Sequence, residues 1–116
     1  MCQQDRRINL SKLHFLFLVA PEVLMPNPRI SQIIGKDTIL ECVITAYPLA
    51  ASYWIKDGQK IISQTGKYRV QLYDEGDHTI TLSLHIYDLE SGDFGEYKCV
   101  ASNVLGQESQ TMVLYG

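Results

Sequence analysis

Two cysteines, a tryptophan between them and a tyrosine just before the second cysteine constrain this 116-residue chain more than any other feature. Cys42 and Cys99 are 57 positions apart, Trp54 follows the first of them, and Tyr97 stands two positions before the second. This order and spacing is typical of two packed β-sheets that a disulfide joins, with the indole beside it and the tyrosine hydroxyl bonded to nearby backbone. The four elements together predict an all-β sandwich with a disulfide between Cys42 and Cys99.

A cysteine pair has a second interpretation, because cytosolic cysteines are more often free thiols or metal ligands than disulfides. The residues around Cys42 favour the sandwich, since Leu40, Cys42 and Ile44 alternate on one face of a predicted strand. The chain contains 3 cysteines, so the predicted pairing leaves Cys2 unpaired. A disulfide closing so long a loop would stabilise the fold by roughly 4 kcal/mol, which suits an oxidising compartment.

Alternating apolar residues and turn residues divide the rest of the chain into the strands of an immunoglobulin-like, two-sheet Greek-key sandwich. Prolines at 26 and 28 split the first strand, and no helix longer than one turn is expected. Asp57-Gly58 is predicted to form a tight hairpin. Residues 74–77 are predicted to form a second hairpin turn, and the strand after it should have one buried and one solvated face. The predicted strands are 22–25, 29–34, 38–46, 52–56, 60–62, 68–73, 79–86, 95–102 and 107–115.

Residues 1–20 differ from the remainder of the chain, because a polar, basic stretch is followed by the apolar run 13–20. One hypothesis is a secretory signal, although His14 interrupts its apolar part. We favour a second hypothesis, that this lead is not natural coding sequence, since Phe and Leu codons are pyrimidine-rich like the end of an intron. We therefore predict a non-domain lead over 1–20, one domain over 21–116, and no glycan at the sequon residue Asn9.

The charge balance argues against nucleic acid as a partner. The formal net charge is −3, and the lead contributes a net +2, which leaves −5 on residues 21–116. An acidic domain without a basic stripe is poorly suited to phosphate binding. In addition, no apolar stretch reaches the eighteen or so residues that a membrane-spanning helix requires.

The sequence provides little for catalysis or metal binding. His78 and His85 lie on or beside one predicted strand and are expected on its solvent face, and no nucleophile elbow or phosphate-binding glycine loop is present. The acidic residues of the hairpin, Asp74, Glu75 and Asp77, lack the spacing of a calcium loop. We predict no enzymatic activity, no metal site and no cofactor.

Several sequence motifs indicate which class of immunoglobulin-like domain the chain resembles. They are Leu-Glu-Cys at 40–42, Ala-Tyr-Pro at 46–48, Tyr-Trp at 53–54, residues 93–103 with Asp93, Gly95 and Tyr97, and Leu-Gly at 105–106. Together these motifs resemble an I-set immunoglobulin domain over about residues 22–115. More narrowly, the chain is similar to the third, membrane-proximal domain of the lachesin, IgLON and Dpr-interacting families of neuronal surface proteins. The structural signature of this resemblance comprises Trp54, Leu84, Asp93, Gly95 and Tyr97.

The resemblance implies an extracellular module of a membrane-anchored adhesion or recognition protein. In those families recognition lies mainly on the first of three domains. This chain is therefore expected to be a spacer or a fragment. Its parent protein is expected to bind other immunoglobulin-domain surface proteins through domains that are missing here. The alternative is an intracellular structural module of a titin-like muscle protein, which free thiols at Cys42 and Cys99 would favour.

Two further expectations concern particular side chains. Asp93 should pair with Lys67 or Arg69 and brace one end of the sandwich. If Trp54 and Cys99 point inward, their neighbours point outward and form a candidate partner face, with the isolated domain remaining a monomer. That face comprises Tyr53, Ile55, Lys98 and Val100.

Overall fold

A computed structural model describes residues 18–49, 51–63 and 66–116. Within these ranges the chain forms nine strands and a single 3-10 turn, Ser91–Asp93. The strands are β1 (Val19–Leu24), β2 (Arg29–Ser31), β3 (Thr38–Tyr47), β4 (Ala51–Lys56), β5 (Gln59–Lys60), β6 (Tyr68–Gly76), β7 (Thr79–Ile86), β8 (Gly95–Asn103) and β9 (Gly106–Tyr115).

The strands form two sheets. One has four strands in the order β1-β3-β7-β6, and the other has five in the order β2-β9-β8-β4-β5. All neighbouring strands are antiparallel except β2 and β9, which are parallel. The segment with Pro26 and Pro28 carries the chain from β1 in one sheet to β2 in the other, so the predicted split of the first strand and the predicted sandwich are both confirmed.

The core lies between the sheets and follows from strict alternation along the central strands. In β3, Thr38, Leu40, Cys42, Ile44 and Ala46 are buried, and the residues between them are partly or fully exposed. Because successive side chains of a strand point to opposite faces, this pattern buries one face of the strand against the other sheet. The other sheet contributes mainly Trp54, Tyr97, Cys99, Ala101, Met112 and Leu114.

The first strand begins earlier than predicted, at Val19 instead of residue 22. Val19 pairs with Tyr47 in β3, and its carbonyl accepts a hydrogen bond of 2.7 Å from Asn103 Nδ2. These partners come from distant parts of the chain, so the local pattern before Pro21 did not reveal them. The predictions for Cys2 and Asn9 lie outside the described residues.

The hairpin between β6 and β7 also differs from the prediction. The turn consists of Asp77 and His78, both with positive φ (52° and 61°), and β6 continues to Gly76. A register shift between Asp74 and Gly76 inserts a bulge, which moves the turn toward β7. By contrast, the predicted turn at Asp57 and Gly58 is present, and both of its residues have positive φ, as a tight hairpin requires.

The outward side of β7 is less solvated than predicted. Thr81 and Ser83 are only 8% and 4% exposed. Strand β7 is central in its sheet, with β3 on one side and β6 on the other, so longer neighbouring side chains cover these small residues. The Thr81 hydroxyl also donates a hydrogen bond of 3.1 Å to the Glu75 carboxylate.

Candidate functional site

The disulfide and the tryptophan form the centre of the sandwich. Cys42 in β3 and Cys99 in β8 are bonded across the two sheets, as predicted, and both are fully buried. Trp54 in β4 is the strand partner of Cys99 and is also fully buried. The bond therefore joins the middles of the two sheets beside the largest side chain of the core.

Tyr97 fixes the turn that precedes β8. Its hydroxyl donates a buried hydrogen bond of 2.6 Å to the backbone carbonyl of Asp93. Burial raises the pKa of Tyr97 above that of a free tyrosine, and the nearby Tyr68 and Asp93 add to this effect. The hydroxyl therefore stays protonated and remains a donor at neutral pH.

Asp93 pairs with Lys67 and not with Arg69. The Lys67 amine lies 2.6 Å from the Asp93 carboxylate, which also accepts a 2.7 Å hydrogen bond from the Glu90 backbone. Burial alone would lower the pKa of Lys67, but the hydrogen bond and negative charge of Asp93 outweigh it, and the pKa is raised. This pair ties the start of β6 to the 3-10 turn, which is a structural role.

The candidate partner face is smaller than predicted. On the outer side of the five-stranded sheet, Lys98 is exposed and Tyr53 and Ile55 are half-buried. Val100, however, is only 3% exposed, which corrects the prediction that it forms part of an accessible surface. It lies on the central strand β8 between Tyr53 and Ser109, so neighbouring strands flank it on both sides.

Lys60 belongs to the same face and was not predicted there. Its amine lies 4.4 Å from the centre of the Tyr53 ring, within the range of a cation–π contact. The tight turn at Asp57 and Gly58 folds β5 back so that Lys60 pairs with Ile55. The Asp57-Gly58 dipeptide could have predicted the position of Lys60, because a two-residue hairpin fixes which residues lie opposite each other.

Two histidines of the described ranges, His78 and His85, contact aromatic rings. The His78 ring lies 4.2 Å from the Tyr47 ring, and His85 stacks on Tyr87 at 4.0 Å. His85 Nε2 is also 3.3 Å from the Asp37 carboxylate, whose pKa is lowered chiefly by a hydrogen bond from the Asp88 backbone.

Across the described ranges, no three His, Cys, Asp or Glu side chains are grouped so that they could hold a metal ion. The same part of the chain contains no helix long and apolar enough to span a membrane.

These features define an immunoglobulin-type sandwich with an intersheet disulfide. Residues 21–115 match the family described as the immunoglobulin I-set domain, and the chain belongs to that family. It is 30% identical over 95 residues to lachesin of Schistocerca americana, a match that covers 82% of this chain and 27% of that protein. The chain thus spans about a quarter of this relative's length.

Two solved structures of similar fold contain domains of different proteins. A structure of Dpr2 Ig1-Ig2 in complex with DIP-Theta Ig1-Ig3 matches with 31% identity and a TM-score of 0.79, covering 84% of this chain and 32% of the matched one. The titin domains A168-A170 match with 26% identity and a TM-score of 0.72, covering 83% of this chain and 32% of that one. The fold is therefore shared with a domain of the Dpr2 and DIP-Theta complex and with a titin domain.

Proposed function

We propose that this chain is an extracellular I-set module of a cell-surface adhesion or recognition protein. The observation that carries the proposal is the buried disulfide between Cys42 and Cys99, because such bonds persist in oxidising compartments and are rare in the cytosol. The similarity to lachesin and to the Dpr2 and DIP-Theta complex supports the same class. The titin similarity favours the alternative, an intracellular structural module.

Within such a protein, we propose that this module acts mainly as a membrane-proximal spacer and that partners are bound through other domains of the parent. A specific interface commonly buries about 800 Å² per partner around an aromatic or arginine anchor. The candidate partner face offers only Tyr53 as a central anchor, and Val100 is already covered. Binding would also remove water from Lys98 and Glu96, which offsets the gain from Ile55.

The spacer proposal predicts that the isolated chain is a monomer at tens of micromolar and that cells displaying it alone do not aggregate. Sedimentation velocity and a cell-aggregation assay measure the two outcomes. A dimer at that concentration that Tyr53→Ala disrupts would contradict the spacer role. Val100→Glu is unsuitable for this test, because Val100 is buried and the substitution would unfold the domain.

A further inference from the structure

The two outer faces of the sandwich carry opposite charge. The outer face of the five-stranded sheet, here called the basic face, presents three exposed cations and one exposed carboxylate, which are Arg29, Lys60, Lys98 and Glu96. The outer face of the four-stranded sheet, the acidic face, presents three exposed carboxylates and one exposed cation, which are Glu22, Glu41, Glu75 and Arg69. A domain with an overall excess of acidic residues therefore has one locally basic side.

The acidic face also has an apolar row that crosses all four strands. Strand register places Leu24, Val43, Thr81 and Tyr73 side by side in that order. Leu24 is 54% exposed and Tyr73 is 47% exposed, so both ends of the row are accessible. The row is a shallow apolar strip, and Ile39, which is 51% exposed, is a further apolar residue of this face.

Glutamates lie on both sides of that strip. Glu22 pairs with Thr45 on one side, and Glu41 pairs with Ser83 on the other. Their carboxylates are exposed and thus free to meet cations from another surface.

The basic face has a complementary arrangement. Tyr53, Val100 and Ser109 form a row, and the next row contains Lys60, Ile55, Lys98 and Thr111. Lys60 and Lys98 lie on the strands that flank β4, so their backbones are about 10 Å apart, which is twice the usual strand spacing. Val100 is covered, so the apolar part of this face is limited to the half-buried Tyr53 and Ile55. Each face thus carries exposed charges of one predominant sign beside partly exposed apolar side chains.

We propose that the basic face of one copy of this chain docks on the acidic face of a second copy. Lys60 and Lys98 would meet Glu22 and Glu41, and the half-buried Tyr53 and Ile55 would contact the apolar strip. Two basic faces or two acidic faces would bring like charges together, so the contact uses a different surface on each copy. Such a contact does not close on a dimer but leaves one free face at each end.

The contact is weak, because exposed ion pairs contribute little and are screened by salt. We expect it only at concentrations well above tens of micromolar, so it goes beyond the spacer role without altering the monomeric state expected there.

The test is sedimentation equilibrium of the full chain at concentrations up to about 1 mM, where the contact should form. Cys2 is first blocked with iodoacetamide, so that intermolecular disulfides do not contribute. Two variants each neutralise one face, Lys60→Gln with Lys98→Gln and Glu22→Gln with Glu41→Gln. Lys36→Gln, which removes an exposed cation outside both faces, is the matched control. Circular dichroism and thermal melting verify that every variant is folded.

At high protein concentration and low salt, we expect the average mass of the unsubstituted chain and of the control to exceed that of a dimer. At high salt, their average mass should fall. Each face variant alone should associate about tenfold more weakly. An equimolar mixture of the two face variants should regain association but stop at a 1:1 complex, since each partner has one intact face. Both variants remain net acidic, so attraction between opposite net charges cannot explain the recovery.

Two results would overturn the proposal. One is a mass that stays monomeric up to the highest concentration. The other is a closed dimer that either face variant still forms by itself, because this would require a symmetric interface elsewhere on the molecule.

Discussion

Replacing Cys42 and Cys99 together with alanine is expected to lower the free energy of unfolding by about 4 kcal/mol. The bond closes a loop with a sequence separation of 57 and lies in the fully buried centre of the sandwich. Its removal frees the unfolded chain, which gains conformational entropy, and leaves two small gaps in the core. Urea denaturation followed by the fluorescence of Trp54, which is the single tryptophan, measures the loss.

Cys2→Ser is the control for that experiment, because the predicted pairing leaves Cys2 unpaired. It should leave the urea midpoint unchanged. Since whole domains are stable by roughly 5–15 kcal/mol, the double alanine variant should sit close to the limit of folding. An unchanged midpoint for Cys42→Ala with Cys99→Ala would contradict the importance assigned to the bond.

Trp54→Ala is expected to destabilise the domain by about 4 kcal/mol, because it removes the largest fully buried side chain and leaves a cavity beside the disulfide. Trp54→Phe should cost less than half as much. Among the described residues, the indole Nε1 of Trp54 has no hydrogen-bond partner. Phenylalanine therefore reduces the buried side-chain volume without removing a hydrogen bond. Thermal unfolding monitored by circular dichroism compares the two variants.

Tyr53→Ala is the matched control for Trp54. It removes a neighbouring aromatic side chain of the same strand, but from the half-buried outer side. Its cost should be about 1 kcal/mol, close to the average for single substitutions. If Tyr53→Ala and Trp54→Ala were equally destabilising, the assignment of Trp54 to the centre of the core would be wrong.

Much of the fold was predictable because local alternation and long-range packing agree. Leu40, Cys42 and Ile44 alternate in the sequence and are all fully buried, and the turn at Asp57 and Gly58 has the dipeptide that its backbone requires. The extension of β1 to Val19 was missed, since its partners lie far away in sequence. The β6–β7 turn was misplaced because a bulge adds a residue without a distinctive local signal.

The surface was harder to predict than the core. Alternation correctly places Val100 on the outer side, but it does not show whether neighbouring strands cover it. Lys60 lies on the candidate partner face because the register of a short hairpin places it opposite Ile55. For Asp93, the sequence offered two possible partners, and the structure pairs it with Lys67. Exposure on a sheet depends on the lengths of the side chains around a residue, and these come from other strands.

The measurement that most directly tests the extracellular assignment is the redox state of Cys42 and Cys99 in the protein isolated from its native cells. Free thiols are alkylated before lysis, and peptides are then mapped without reduction. The assignment predicts a disulfide-linked pair of peptides, one containing each cysteine, with neither residue alkylated. If both cysteines are alkylated without prior reduction, the module resides in a reducing compartment, and the intracellular, titin-like role replaces the one proposed.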